Sequence, residues 1–241
     1  MHLFPDGLVV TRMEYDCFLH LVDDPEQFVL DALLAKAVTR RDALINGWFE
    51  TLLADPDVKT IPTDPDAIAA LIIARPDYQT RVQKDAALPI PEPVSHHKAE
   101  QYKSKIRQGD TVTLFTTRIF IPDAAAACIL AFVQDMDELV YNAVLGCISK
   151  GRKLILRQYL PILAADPRIV AVPGNEDELL DVITSLDDYM TMPEQKAEIE
   201  RRIRVAAEER EAERLERIAE EKRLKDIADA EAAEAELEPA T

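Results

Sequence analysis

Apolar positions recur along the first half of the chain at steps of three, four and seven: Leu30, Leu34, Ala37, Leu44, Trp48 and Leu52. That spacing predicts a long amphipathic helix with the stripe turned inward. Tyr141, Leu145, Ile148, Ile155, Tyr159 and Leu163 repeat the stripe position for position. A shorter helix is predicted over residues 12–21, with Phe18, Leu19 and Val22 inward. Its twin over residues 124–133 follows Pro122 and Asp123, proline being tolerated in a first turn. A third helix buries Ile68, Leu71 and Ile72 and starts at Asp64-Pro65. Its counterpart buries Leu179, Val182 and Ile183 and starts at Asn175, with Glu178 three residues on in the manner of a capping box.

The loops repeat as well. Leu52-Leu53-Ala54-Asp55-Pro56, Ile61-Pro62, Asp66 and Asp77-Tyr78 return as Leu163-Ala164-Ala165-Asp166-Pro167, Val172-Pro173, Asp177 and Asp188-Tyr189, all at one offset of 111 residues. A constant offset without a gap points to an internal duplication. Ahead of the helices, residues 3–10 place Pro5-Asp6-Gly7 between two apolar runs, which predicts a tight turn and a small hairpin. The counterpart, residues 112–121, is rich in β-branched and aromatic residues. So little strand material supplies only a small sheet, one ribbon from each copy pairing with the other.

The expected fold is therefore mainly α. Two tandem duplicated helical units, residues 1–86 and 114–192, each hold a short β-ribbon and about three helices. Residues 87–113 form a linker with prolines at 89, 91 and 93 and a polar continuation. Residues 193–241 form a charged C-terminal helix and tail. Its Glu198–Arg202, Glu200–Arg204, Glu213–Arg217 and Glu221–Lys225 pairs have the order that favours i to i+4 attraction. Ile199, Ile203, Leu215, Ile218, Leu224 and Ile227 are too uneven for a strict heptad, which leaves an isolated helix, a weak coiled coil or a strip docked on another subunit.

Two irregularities mark the long helices. Pro161 stands where the first copy has Glu50, and is expected to kink the second helix or restart it near Tyr159. Arg41 and Arg152 both sit on the apolar stripe. Either their stems pack while the guanidinium reaches a carboxylate at the edge, or they form a paired contact to an anion or partner.

Composition narrows the function. With 45 acidic and 28 basic residues the net charge is −17, which argues against bare phosphate backbone, hence against direct nucleic-acid binding. Cys17, Cys128 and Cys147 form no C-x-x-C pair and are expected as reduced, buried thiols. The first residues lack a signal-peptide pattern, and no apolar run is long enough for a membrane span. The expected location is a cytosol or a particle assembled there.

The arrangements that catalysis needs are missing from the sequence pattern. Six glycines include no phosphate-binding motif. His2, His20, His96 and His97 make no metal-ligand spacing, and adjacent histidines without a second cluster are weak ligands. Asp55, Asp57, Asp64 and Asp66 lack calcium-loop spacing, and Asp187-Asp188 reads as a solvated bend. The expectation is no enzyme, no cofactor, no metal and no small-molecule substrate. Arg41, Arg152, Trp48, Tyr159, Tyr78 and Tyr189 are the candidate partner contacts. The tyrosines also have a body to pack and a hydroxyl to satisfy.

The run Leu53-Ala54-Asp55-Pro56, Ile61-Pro62, Asp66, Ile68, Leu71-Ile72 and Ala74-Arg75-Pro76-Asp77-Tyr78 resembles a module in small accessory and virion proteins of tailed bacteriophages. It covers about a fifth of the chain over both copies, and the second copy departs from it with Leu186-Asp187 in place of Arg75-Pro76. The resemblance implies a phage-encoded virion or accessory component and transfers no catalytic residue. The leading expectation is a non-enzymatic structural or assembly protein that contacts other virion subunits or itself. The alternative is an intracellular adaptor or host-modulating binding protein with a ligand between the repeats. An enzyme whose site assembles only on folding stands third.

Overall fold

The computed structural model describes residues 1–4, 7–87, 111–115, 118–167, 169 and 172–237, with side chains for all of these except His2 and residues 226–237. The Pro5-Asp6 half of the expected turn, the linker prolines, His96-His97, Ile227 as a side chain and the end of the tail lie outside the described residues.

Short polar side chains set most helix starts. Thr11 and Glu14 form a capping box at α1, Arg12–Leu19. Asp24 accepts from the backbone N–H groups of Glu26 and Gln27 at α2, Pro25–Ala54, with Pro25 in its first turn. Asp64 caps α3, Pro65–Ile73, and a Thr80–Gln83 box opens the short α4, Arg81–Ala86. In the second half α5, Asp123–Leu130, follows Pro122 with no side-chain cap. Asp135 caps α6, Met136–Ala165, and Asn175 caps α7, Glu176–Thr184. The last element is α8, Met192–Leu237. Each cap satisfies a backbone donor that helix geometry leaves unpaired, and losing one costs about 1 kcal/mol. The bounds of α1, α2 and α3 shifted by 111 residues are those of α5, α6 and α7.

Helix α6 runs through Pro161 to Ala165 and does not restart near Tyr159. Pro161 lies in the last turns of the helix, where one lost hydrogen bond leaves few others downstream.

The strands do not form the expected local hairpin. Strand β1, His2–Leu3, pairs antiparallel with β4, Ile119–Phe120, and β2, Val9–Thr11, pairs antiparallel with β3, Thr111–Thr113. Phe4 and Gly7 both take positive φ in the connection between β1 and β2. At Gly7 an added Cβ would fall 2.5 Å from the Phe115 carbonyl oxygen, so the position requires glycine for space as well as for conformation.

The helices exchange in the same way. Helix α1 packs on α6, α5 packs on α2, and α2 and α6 touch each other. Helix α3 lies against α2 and α5, and α7 lies against α6 and α1. One core cluster gathers Phe18, Leu33, Phe115, Ile129, Ile155 and Ile183 from both halves. A second joins Leu44, Leu52, Ile68 and Ile72 to Cys128 and Ala131.

The stripe on α2 holds at Ala37, Leu44 and Leu52, but nearer the N-terminus Val29 and Leu33 are buried while Leu34 is exposed. There α2 meets α6, whose Val140 and Val144 are buried in place of Tyr141 and Leu145. A helix with different neighbours along its length turns a different face to each.

Residues Met1–Pro193 form one unit and Glu194–Thr241 another. In the second, Ile199 and Ile203 are 58% and 64% exposed. Glu198 pairs with Arg201 and Arg202, Glu211 with Arg214, and Glu220 with Arg223, all within the helix.

Candidate interaction site

The two arginines on the stripe reach carboxylates at its edge. Arg41 donates to Asp66 at 2.8 Å and to Asp42 at 3.1 Å. Arg152 donates to Asp177 at 2.5 Å and lies 3.8 Å from Glu176. Asp66 and Asp177 occupy the first turns of α3 and α7, where a carboxylate also meets the positive end of the helix dipole. Each arginine thus ties its long helix to the start of the next one. Ion pairs this open to solvent are worth up to about 1 kcal/mol each.

The aromatic candidates form two matching pairs, Trp48 with Tyr78 at 6.3 Å between ring centroids and Tyr159 with Tyr189 at 5.8 Å. The Tyr78 hydroxyl donates to the Ala127 carbonyl on α5 at 3.0 Å, and the Tyr189 hydroxyl donates to the Asp16 carbonyl on α1 at 3.4 Å. Each tyrosine therefore fastens its own half to the short helix of the other. Burial pushes the Tyr78 phenol up, so it stays a donor at neutral pH.

Of the six candidates only Arg41 borders a surface feature that is open to a partner. Between α2, α3 and α5 runs an apolar groove of about 360 Å³. Its floor is Ala37, Ala69 and Cys128, all buried, and its walls include Leu34, Val38 and Ile73. Leu34 and Val38 are 37% and 48% exposed, an unusual state for large aliphatic side chains one turn apart on a helix with a core face of its own. Arg41 and Asp66 close one end. In the sequence this groove is a run of alanines, which reads as good helix former and not as missing volume.

The groove offers little to catalysis. The Cys128 thiol is held protonated by burial, its pKa pushed above the ordinary range. Among the described residues no cluster of histidine, cysteine, aspartate or glutamate could hold a metal ion, and no helix is long and apolar enough to cross a membrane. Compared with known protein families, curated proteins and solved structures, the chain finds no match.

Proposed function

We propose that the chain is a non-enzymatic assembly protein that works through protein–protein contacts, and that its two halves are copies of one unit joined as an intertwined pseudo-dimer. The observation that carries this is the reciprocity of the pairing. His2 faces Phe120 and Leu3 faces Ile119 in one ribbon. Shifting each residue by 111 predicts Val9 facing Thr113 and Leu8 beside Leu114. Val9 does pair with Thr113, and the Leu114 amide donates to the Leu8 carbonyl at 2.8 Å. The tyrosine bonds and arginine pairs obey the same shift. Such exchange is what two identical chains make across an isologous interface, and joining them in one chain keeps it.

The charged helix α8 belongs to this reading as the element that reaches a neighbouring subunit. Ile199, Ile203 and Ile218 are exposed, and Glu198, Glu211 and Glu220 pair with arginines of the same helix. The bacteriophage resemblance supports a location in a virion or its precursors. Mass spectrometry of particles made by the genome that encodes the chain tests this: many copies per particle support it, and absence from particles removes it.

The adaptor reading keeps one specific support. A cleft of about 320 Å³ lies where α2 crosses α6, lined from both halves by Val29, Leu33, Lys36, Leu139 and Val140. That is the lower end of the size range of ligand sites. Saturable binding of a small molecule that is lost on Ala32→Leu would favour it.

A further inference from the structure

We infer that the groove between α2, α3 and α5 is the docking site for an amphipathic helix of a partner protein, aliphatic on the inserted face and basic at its flanks. The inference rests on the reading of the chain as a contact protein, and it names the surface and the chemistry of the contact.

The equivalent place between α1, α6 and α7 shows what the groove would look like if it were only a surface. Where the groove floor has Ala37 and Ala69, the equivalent positions hold Ile148 and Leu180, both buried, and Met13 stands for Ala124. Met13 and Leu145 pack onto the core there. The site between α1, α6 and α7 thus fills with aliphatic side chains the space that the site between α5, α2 and α3 leaves open, which identifies the missing occupant as aliphatic.

The walls differ in one direction. Thr11, Glu14, Ser149, Asp181 and Thr184 around α1, α6 and α7 stand where Pro122, Ala125, Val38, Ala70 and Ile73 stand around α5, α2 and α3. Five polar positions are apolar, and all five line the groove. Two of these changes cost the fold something. Thr11 and Glu14 form the capping box of α1, whereas α5 begins at Pro122 without a side-chain cap. A helix that gives up its cap while its exposed wall turns apolar is explained by a face that is covered in the assembly.

The occupant's charge follows from the rim. Asp42 and Asp66 share the single guanidinium of Arg41, and both carboxylates are more exposed than it is. The whole chain carries −17. A second copy would bring the same charge to the same place, so a basic helix is favoured over self-association. Leu34 and Val38 stand one turn apart along the wall, a repeat that the i and i+4 anchors of an inserted helix can meet.

The probe is a displayed library of helical peptides selected against the full chain. Enrichment of sequences with aliphatic residues at i, i+3 or i+4 and lysine or arginine beside them supports the inference. Two variants locate the site: Ala37→Ile with Ala69→Leu and Ala124→Met fills the floor, and Val38→Ser with Ala70→Asp and Ala125→Glu restores the polar walls at two exposed positions and one half-buried one. Either, folded by circular dichroism, should weaken the selected peptide at least about tenfold. Equal binding to the folded wall variant, no enrichment, or an acidic consensus overturns it. So does sedimentation showing a wild-type dimer that the wall variant dissolves, since the occupant is then a second copy. Particles that contain the chain but take up the wall variant equally well reject the groove and leave the assembly reading standing. Absence of the wild-type chain from particles rejects that reading whatever the peptides do.

Discussion

The two places where a short helix crosses a long one are built from helices whose bounds correspond at an offset of 111 residues, and they are closed in different ways. At the α1–α6 crossing the contact residue is Gly151, where an added Cβ would lie 1.9 Å from the Cys17 carbonyl oxygen. The equivalent residue on α2 is Arg40, whose guanidinium sits 5.1 Å from the centre of the Phe132 ring at the α2–α5 crossing. Glycine lets two backbones meet directly, so the α1–α6 crossing is filled. An arginine in that place needs room for its stem, and beside it lies the open groove. One architecture thus serves both as a closed joint and as a surface with space to give, and the choice is made by the size of a few side chains.

The largest expected effect comes from forcing the closed joint. Gly151→Leu cannot be absorbed by a side-chain rotation, because the obstruction is backbone. It should destabilise the chain by about 3 kcal/mol or more. Arg40→Gly, the reciprocal change, removes a ring contact and adds a helical glycine at a cost of about 1 kcal/mol. Denaturant titrations of both variants check the order, and equal losses would mean that the two crossings are equally packed.

Next in size is the histidine of the closed joint. His20, buried at the end of α1, stacks on Tyr189 at 5.8 Å, and its Nε2 lies 3.0 Å from the Gln158 side-chain oxygen. Its Nδ1 is buried without a partner. The open joint has Ala131 and Gly47 at these positions. Burial holds the His20 pKa below the ordinary imidazole value, against the smaller upward pull of Gln158. The fold therefore prefers the neutral ring. As pH falls through about 6.5 the unfolded chain takes up the proton first. Stability is lost over that window, and the loss ends once pH is below the folded value. His20→Ala should lower stability at pH 8 through lost packing and flatten its decline toward pH 5. An unchanged slope would show that the ring is not neutral in the fold.

A smaller effect separates the two ends of the long helices. Arg75 pairs with Asp55 and with Asp77 and lies 5.7 Å from the Trp48 ring centre, whereas the second half has Leu186 there. Asp55 is held below the usual carboxylate range by the Asp57 backbone N–H first and Arg75 next, and Asp77 by Arg75. Depressed carboxylates stabilise the fold above their ordinary pKa, and that contribution disappears as they protonate. Arg75→Leu should lower Tm by less than Gly151→Leu at pH 7, and the gap to the wild-type chain should narrow as pH is brought to about 3.

How far the sequence could be read follows from the range of each signal. Asp24, Asp64 and Asn175 act on donors two or three residues away, and the sequence pattern alone places the helix starts that they cap. The capping box of α4, Thr80 with Gln83, is equally local, but no apolar stripe follows it to mark a helix. The expected hairpin followed a local turn motif, but Val10 pairs with Val112, and an apolar alternation reads the same whichever strand lies beside it. Periodicity placed Leu34 inward because it assumes one partner along the helix. The groove left no mark because small residues are silent about whether a neighbour fills the space they leave.

The smallest effect changes no stability and asks whether the open joint is open. Cys17 and Cys128 are equivalent cysteines, both buried and both free. Cys17 lies under Gly151, and burial pushes its pKa up to about 12. Cys128 is also pushed up by burial, yet it forms part of the groove floor, which a reagent can enter from solvent. Alkylation needs thiolate and access together, and Cys17 is short of both. Peptide mapping after timed native labelling with a small maleimide should therefore find Cys128 modified before Cys17, with the difference erased in denaturant. Filling the floor with Ala37→Ile and Ala69→Leu should slow Cys128 toward the rate of Cys17. If the wild-type rates are already equal, the space beside α5 closes in solution, and the contrast between the two crossings reduces to one of side-chain identity.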